Sequence, residues 1–175
     1  MSGKTAWITG ASSGIGEGLA KEWLARGGRC VLSGRNVAAL EAVAAHAPDR
    51  CLVLPFESTD YAAIPAMVDK AVAFAGNIDV LVNNAGISQR SLAIDTDMSV
   101  YRKIVDVDLL APIALTQALL SHLLARGSGG IVMISSVAGK AGVPMRTAYC
   151  AAKHGLVGYA DSLRSEIAGQ GIKVL

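Results

Sequence analysis

Tyr149 and Lys153 stand four positions apart in the segment Tyr149-Cys-Ala-Ala-Lys153. On a helix that step leaves about 40° between them, one turn apart on one face. A phenol ionises near pH 10 in water and is a poor base at neutral pH, but a nearby ammonium favours its anion. Such a pair can exchange a proton with a carbonyl or alcohol oxygen. Ser136, just past the apolar run Ile131-Val-Met-Ile134, adds a hydroxyl. It can bond the same oxygen and stabilise charge as hydride arrives at or leaves the carbon. Tyrosine and lysine four apart also occur in many helices without chemistry, so the pair takes its meaning from its setting.

The rest of that setting is a glycine loop, Thr9-Gly-Ala-Ser-Ser-Gly-Ile-Gly16, between an apolar run and an amphipathic segment. Glycines there let the backbone approach a ligand, and helix N-terminal amides face an anion, most simply a pyrophosphate. The spacing is G-x-x-x-G-x-G, not G-x-G-x-x-G, and no Gly-Lys-Ser/Thr ending marks a triphosphate loop. A tight strand-to-helix turn is the alternative reading. About 18 residues on, where an NAD site would offer a carboxylate to the ribose, the chain reads Ser33-Gly-Arg35. Arg35 can pair with a 2′-phosphate, so NADP(H) fits better than NAD(H), and a methyltransferase, whose ligand commonly wants a carboxylate there, fits less well. Two further polar segments, Asn83-Asn-Ala-Gly86 and Ser135-Ser-Val-Ala-Gly139, also follow apolar runs.

These residues need a scaffold, and the hydrophobic pattern supplies one. Apolar runs near 5–9, 29–33, 51–55, 78–82, 130–135 and 172–175 predict six strands. They alternate with helical spacing near 14–26, 37–46, 60–75, 98–125 and 148–168. Strands with little polar alternation are buried on both faces. The fold class is therefore α/β, a doubly wound parallel sheet in a single Rossmann-like domain over 1–175, with ligands at the carboxyl edge. Pro112 is expected to kink or divide the fourth helix. The chain stops at Gly171-Ile-Lys-Val-Leu175, which reads as a strand cut short within strand six, because a bare apolar edge invites aggregation.

Composition narrows the rest. The 175 residues are 52% hydrophobic with a net charge of +2, enough for one core and no argument for nucleic acid. Leu109 to Ala125 is apolar but broken by Thr116, Gln117, Ser121 and His122, which suggests a buried or interface helix and no membrane partner. No signal-peptide pattern opens the chain. Cys30, Cys51 and Cys150 cannot all pair, and His46, His122 and His154 have no metal-ligand spacing, so the expectation is a reducing, cytoplasmic location and no metal.

Taken together, the residues resemble the short-chain dehydrogenases/reductases over essentially the whole chain. The cofactor loop Thr9 to Gly16, the segment Asn83 to Gly86, Ser136, and Tyr149 with Lys153 thirteen and seventeen positions after it all match that family's pattern. Ser135 to Met145 looks most like the hydroxysteroid-dehydrogenase-like branch. The resemblance implies hydride transfer between NADP(H) and a ketone or secondary alcohol. It implies Ser136, Tyr149, Lys153 and Asp108 as catalytic, the last where the family has asparagine. Gly10, Ser12, Ser13, Gly14, Ile15, Gly16, Arg35, Glu57, Ser58, Asn83, Ala85 and Gly86 would bind cofactor along with Tyr149 and Lys153, Glu57 matching the family's adenine-contacting aspartate. Ser88, Gln89, Val143, Pro144 and Met145 are expected to face substrate. A homodimer or homotetramer would pair the helices at 98–125 and 148–168 through Leu115, Leu119, Leu123, Leu156, Tyr159 and Leu163. Family members continue past this chain's last strand into a Pro-Gly turn and a substrate lid. A non-catalytic NADP(H)-binding protein or an incomplete, inactive fragment is the alternative.

Overall fold

The computed structural model describes residues 1–175. Six strands, β1 (Thr5–Thr9), β2 (Arg29–Ser33), β3 (Cys51–Val53), β4 (Val80–Asn83), β5 (Gly129–Met133) and β6 (Ile172–Val174), form one sheet in the order β3-β2-β1-β4-β5-β6. Every pair is parallel, with Thr5 opposite Arg29 and Ala6 opposite Val80. The strand order reverses between β1 and β4, and that switch point opens a crevice at their carboxyl ends.

Helices α1 (Gly14–Ala25) and α2 (Val37–Ala44) cover one face. There Ala20, Leu24, Leu40 and Val43 pack on Ala6, Ile8, Cys30 and Leu32. Helices α3 (Ile64–Ala75), α5 (Ala111–Arg126) and α6 (Thr147–Glu166) cover the other, around Trp7, Val31, Leu81 and Ile131. All five residues of β1 are buried, as a strand covered on both sides requires. The buried Trp7 indole N–H donates to Ser33 Oγ at 2.9 Å, which satisfies the one polar atom its ring brings into the core.

Where boundaries depart from the sequence pattern, local chemistry explains it. The ladder beyond β3 ends with Leu54 N–H donating to Leu32 O, and Pro55 follows at a position facing away from β2, where this edge strand needs no donor. Helix α3 starts at Ile64 rather than 60, with Pro65 in its first turn. Helix α4 (Met98–Val105) runs into a π-helical turn, Asp106–Leu110, and then into α5. Pro112 cannot bond the carbonyl of Asp108, and its ring would crowd that oxygen in a regular helix. Instead Ala111 N–H bonds Asp106 O, five residues back. The expected irregularity therefore falls just ahead of the proline, as a π bulge.

The rod from Met98 to Arg126 is 29 residues long and, by length and composition alone, apolar enough to cross a membrane. Here its face of Ala111, Leu115, Leu119 and Leu123 is buried in the core. The side chains named for self-association lie mostly inside the core. Leu115, Leu119, Leu123, Leu156 and Leu163 are buried against this chain's own sheet, and Tyr159 packs half-buried beside them. Those side chains belong to the core, not to an outer face.

Candidate active site

The carboxyl ends of β1, β2 and β4 open into a cleft of about 610 Å³. Its floor is the loop between β1 and α1, where Gly10, Ser12, Ser13 and Ile15 line the space. Ser13 precedes α1 but its side chain makes no capping bond. The first amides of this twelve-residue helix are thus left to a ligand, and the helix dipole favours an anion there. A phosphate-bearing cofactor fits this end of the cleft.

Gly14 and Gly16 do not line it. Gly14 supplies the turn, with φ +57°. Gly16 is buried, and a β-carbon on it would lie 2.3 Å from Gly10 O and 2.5 Å from Asn84 Nδ2. The close approach required of this glycine is therefore between two parts of the protein. Gly16→Ala is expected to cost about 1–3 kcal/mol, from backbone displacement. The check is a fall in urea midpoint, and an unchanged midpoint would contradict the packing argument.

Past the ends of β2 and β3 the cleft is lined by Gly34, Arg35, Glu57 and Ser58. Asn36 Oδ1 accepts from Ala39 N–H at 3.1 Å and starts α2 directly after Arg35. Arg35 is 70% exposed and only 3.8 Å from Glu57 Oε2, a loose surface pair that contributes little and leaves the guanidinium available.

The opposite wall is formed by Asn84, Ala85, Gly86 and Ile87 with Lys103, Asp106 and Val107. Asn83, expected among the cofactor residues, is a correction: its buried side chain donates to Thr116 Oγ1 at 3.0 Å, away from the large cleft. Asn84 takes the place in the wall, donating to Thr9 O at 2.9 Å and Gly10 O at 3.3 Å. It ties β4's end to the glycine loop.

A second cleft of about 330 Å³ is lined by Ser88, Ser136, Val137, Ala138, Val143, Arg146 and Tyr149. Ser136 Oγ accepts from Ala138 N–H at 3.2 Å, which fixes the hydroxyl at the mouth of the turn Val137–Gly139 and leaves its proton free. Gly139 lets this turn sit on α6, since a β-carbon there would be 2.9 Å from Lys153 O. Ser88 and Val143 lie at this cleft as expected. Pro144 and Met145 do not line it, and Met145 instead occupies a left-handed turn, φ +62°, whose carbonyl accepts from Ser91 N–H. Gln89 is buried and accepts from Tyr149 N–H at 3.2 Å, so it caps the first turn of α6 rather than facing substrate. Arg146, bonded to Ser88 Oγ, was not anticipated from the sequence.

Helix α6 brings Tyr149 and Lys153 onto one face, with Lys153 Nζ 5.6 Å from the centre of the Tyr149 ring. Lys153 is 4% exposed and donates to Ile134 O at 3.1 Å. Asp108, fully buried in the π turn, places Oδ2 3.3 Å from Lys153 Nζ and accepts from Ile87 N–H on Oδ1 at 2.8 Å. Burial pushes its carboxyl above the usual range, against the pull of the Ile87 amide and the Lys153 charge.

An anion-ready helix end and the Tyr149–Lys153 pair both lie at the carboxyl edge of this doubly wound sheet. The chain belongs to the short-chain dehydrogenase/reductase family: that family's sequence model, described as short chain dehydrogenase, matches residues 4–175. It is 42% identical over 169 residues to human dehydrogenase/reductase SDR family member 7, across 93% of this chain and 50% of that protein. A Drosophila melanogaster SDR family protein 7-like relative is 40% identical over 184 residues, across 99% and 56%. Among solved structures, a short-chain dehydrogenase from Streptomyces avermitilis superposes with a TM-score of 0.94 at 36% identity, covering 98% of this chain and 64% of that one. The chain spans about half the length of the curated relatives it matches.

Proposed function

We propose that this protein interconverts a secondary alcohol and a ketone with NADP(H). The observation that carries this reading is the adjacency of the two clefts. Ile87 in the large one and Ser88 in the small one are consecutive, so a cofactor held along the first would present its reactive end to Ser136 and Tyr149 in the second. When bound, the nicotinamide donates or accepts hydride at C4. The chain's own residues handle the oxygen. Tyr149 gives a proton to the carbonyl oxygen in one direction and takes it from the alcohol in the other. Ser136 donates a hydrogen bond to the same oxygen. Lys153, one turn along α6 and 5.6 Å from the ring centre, is the electrostatic partner of Tyr149.

NADP(H) is the proposed cofactor because Arg35 stands exposed just past β2, engaged only in the loose 3.8 Å pair with Glu57. A guanidinium forks around a 2′-phosphate, whereas a carboxylate in its place would repel it. The pairing is expected to contribute about 1.5–3 kcal/mol, roughly ten- to a hundredfold in affinity. Fluorescence titration of NADPH and NADH against the native chain and Arg35→Ala tests this. NADPH affinity should drop in the variant with NADH little changed, and equal affinities in the native chain would sink the assignment.

A further inference from the structure

We propose that Arg146 and Ser88 form a carboxylate subsite in the smaller cleft, so that the preferred substrate is a short keto acid or the corresponding hydroxy acid. The inference deepens the oxidoreductase reading above and rests on it. The cleft of about 330 Å³ offers Ser136 and Tyr149 to a carbonyl oxygen and has one charged residue in its lining, Arg146. Val137, Ala138 and Val143 supply its apolar wall. A pocket of that size with one convergent cation selects a small ligand with one anionic end.

Nothing in the chain neutralises this cation. None of the six ion pairs includes Arg146. The two segments that contribute the lining, 84–94 and 136–149, contain Arg90, Lys140 and Arg146 and no Asp or Glu. Arg146 is half-buried, where an unpaired charge is costly and a carboxylate partner offsets that cost. Its position just before the twenty-residue helix α6, whose N-terminal end is the positive end of the dipole, adds to the attraction.

The donors are also in place. Arg146 Nη1 donates to Ser88 Oγ, which holds the two side chains together at the cleft. The guanidinium keeps its remaining N–H groups, and the serine hydroxyl, as acceptor in that bond, keeps its own proton. Together they match the two oxygens of a carboxylate. Arg146 does not line the large cleft, so it serves this cleft and not the cofactor's. Three residues separate Arg146 from Tyr149, about 4.5 Å of helix rise. That distance sets the scale of the carbon chain between carboxylate and carbonyl.

The test compares levulinate and 5-oxohexanoate, keto acids whose lengths bracket that scale, with their methyl esters on the full chain supplied with NADPH. For at least one pair, kcat/KM of the acid should exceed that of the ester about tenfold or more, as hydrogen bonds to a charged group provide. Arg146→Gln keeps a donor for Ser88 but drops the charge, and it should bring the acid-to-ester ratio to about one. Arg146→Lys should restore part of it. If Arg146 only ties the Ser88 loop to α6, the glutamine variant changes acid and ester alike and the ratio stays where it was. A second readout needs no turnover: saturation-transfer NMR on the NADP(H)-saturated chain should show one of the acids bound to the native chain and lost from Arg146→Gln. Esters used as well as acids by the native chain, a ratio that survives Arg146→Gln, or acid binding that does not depend on Arg146 overturns the proposal. Acid binding that depends on Arg146, with no ketone turned over, keeps the subsite and sinks the enzyme reading instead.

Discussion

Tyr149→Phe is expected to keep the fold and the cofactor affinity while turnover falls by about 10²–10⁴, the range for losing a positioned acid/base group. The change removes one oxygen from a half-buried ring at the wall of the smaller cleft. The tyrosine backbone, which takes the Gln89 capping bond, is untouched. The large cleft does not include Tyr149 among its walls, so NADPH titration should be close to native. A second consequence is diagnostic: reduction and oxidation should fall together, since one oxygen serves both directions. Native-like turnover in the variant would remove Tyr149 from the chemistry.

Lys153→Met carries the second large effect, and it reaches stability as well as rate. Asp108 is fully buried and has Lys153 as its only cation, so the variant strands a carboxyl in the core. Breaking a buried pair this way costs about 3–5 kcal/mol, a large part of the roughly 5–15 kcal/mol that holds a domain together. The sign of the pH dependence follows from Asp108. Its folded-state carboxyl already lies above the ordinary 3.8 through burial, with Lys153 among the groups pulling it down. The folded chain thus binds that proton more tightly than the unfolded chain, and the resulting stability is present below the ordinary carboxylate range and lost as pH rises through the raised value. Without Lys153 the raised value climbs further. The variant should therefore regain stability on acidification over a wider window than the native chain. Adding Asp108→Asn should restore most of the loss at neutral pH. Urea midpoints across pH check this, and a variant as stable as the native chain at neutral pH contradicts it. Turnover should also decline, because the ammonium stands beside the Tyr149 ring.

The parallel sheet was legible because its strands are short, apolar and separated by helical spacing. Each observed strand lies within two residues of its predicted range. The Tyr149–Lys153 pair was legible because a four-residue step is fixed by helix geometry alone. Other site features depend on contacts between distant segments. Asn83 and Asn84 are alike in sequence, yet strand alternation turns Asn83 toward Thr116 with Leu81, leaving Asn84 beside Thr9. Extending the two-residue period of β4 by one position would have separated them. The leucines at 115, 119 and 123 carry the spacing of a buried stripe, and that spacing is the same whether the stripe meets a sheet or a second chain. Gln89 and Arg146 had no such signal, since their roles come from a loop that folds against the start of α6. The π turn was half legible: Pro112 marked the irregularity, but not that Asp108 would be turned inward onto Lys153.

The most direct measurement is transfer of label from NADPH deuterated at the hydride-donating C4 position to a panel of ketones, followed by mass spectrometry of the products. The account predicts one deuterium on the carbinol carbon of at least one product, absent when Tyr149→Phe replaces the native chain. NADPH that binds tightly but passes no deuterium to any ketone would contradict it and leave a cofactor-binding protein without turnover.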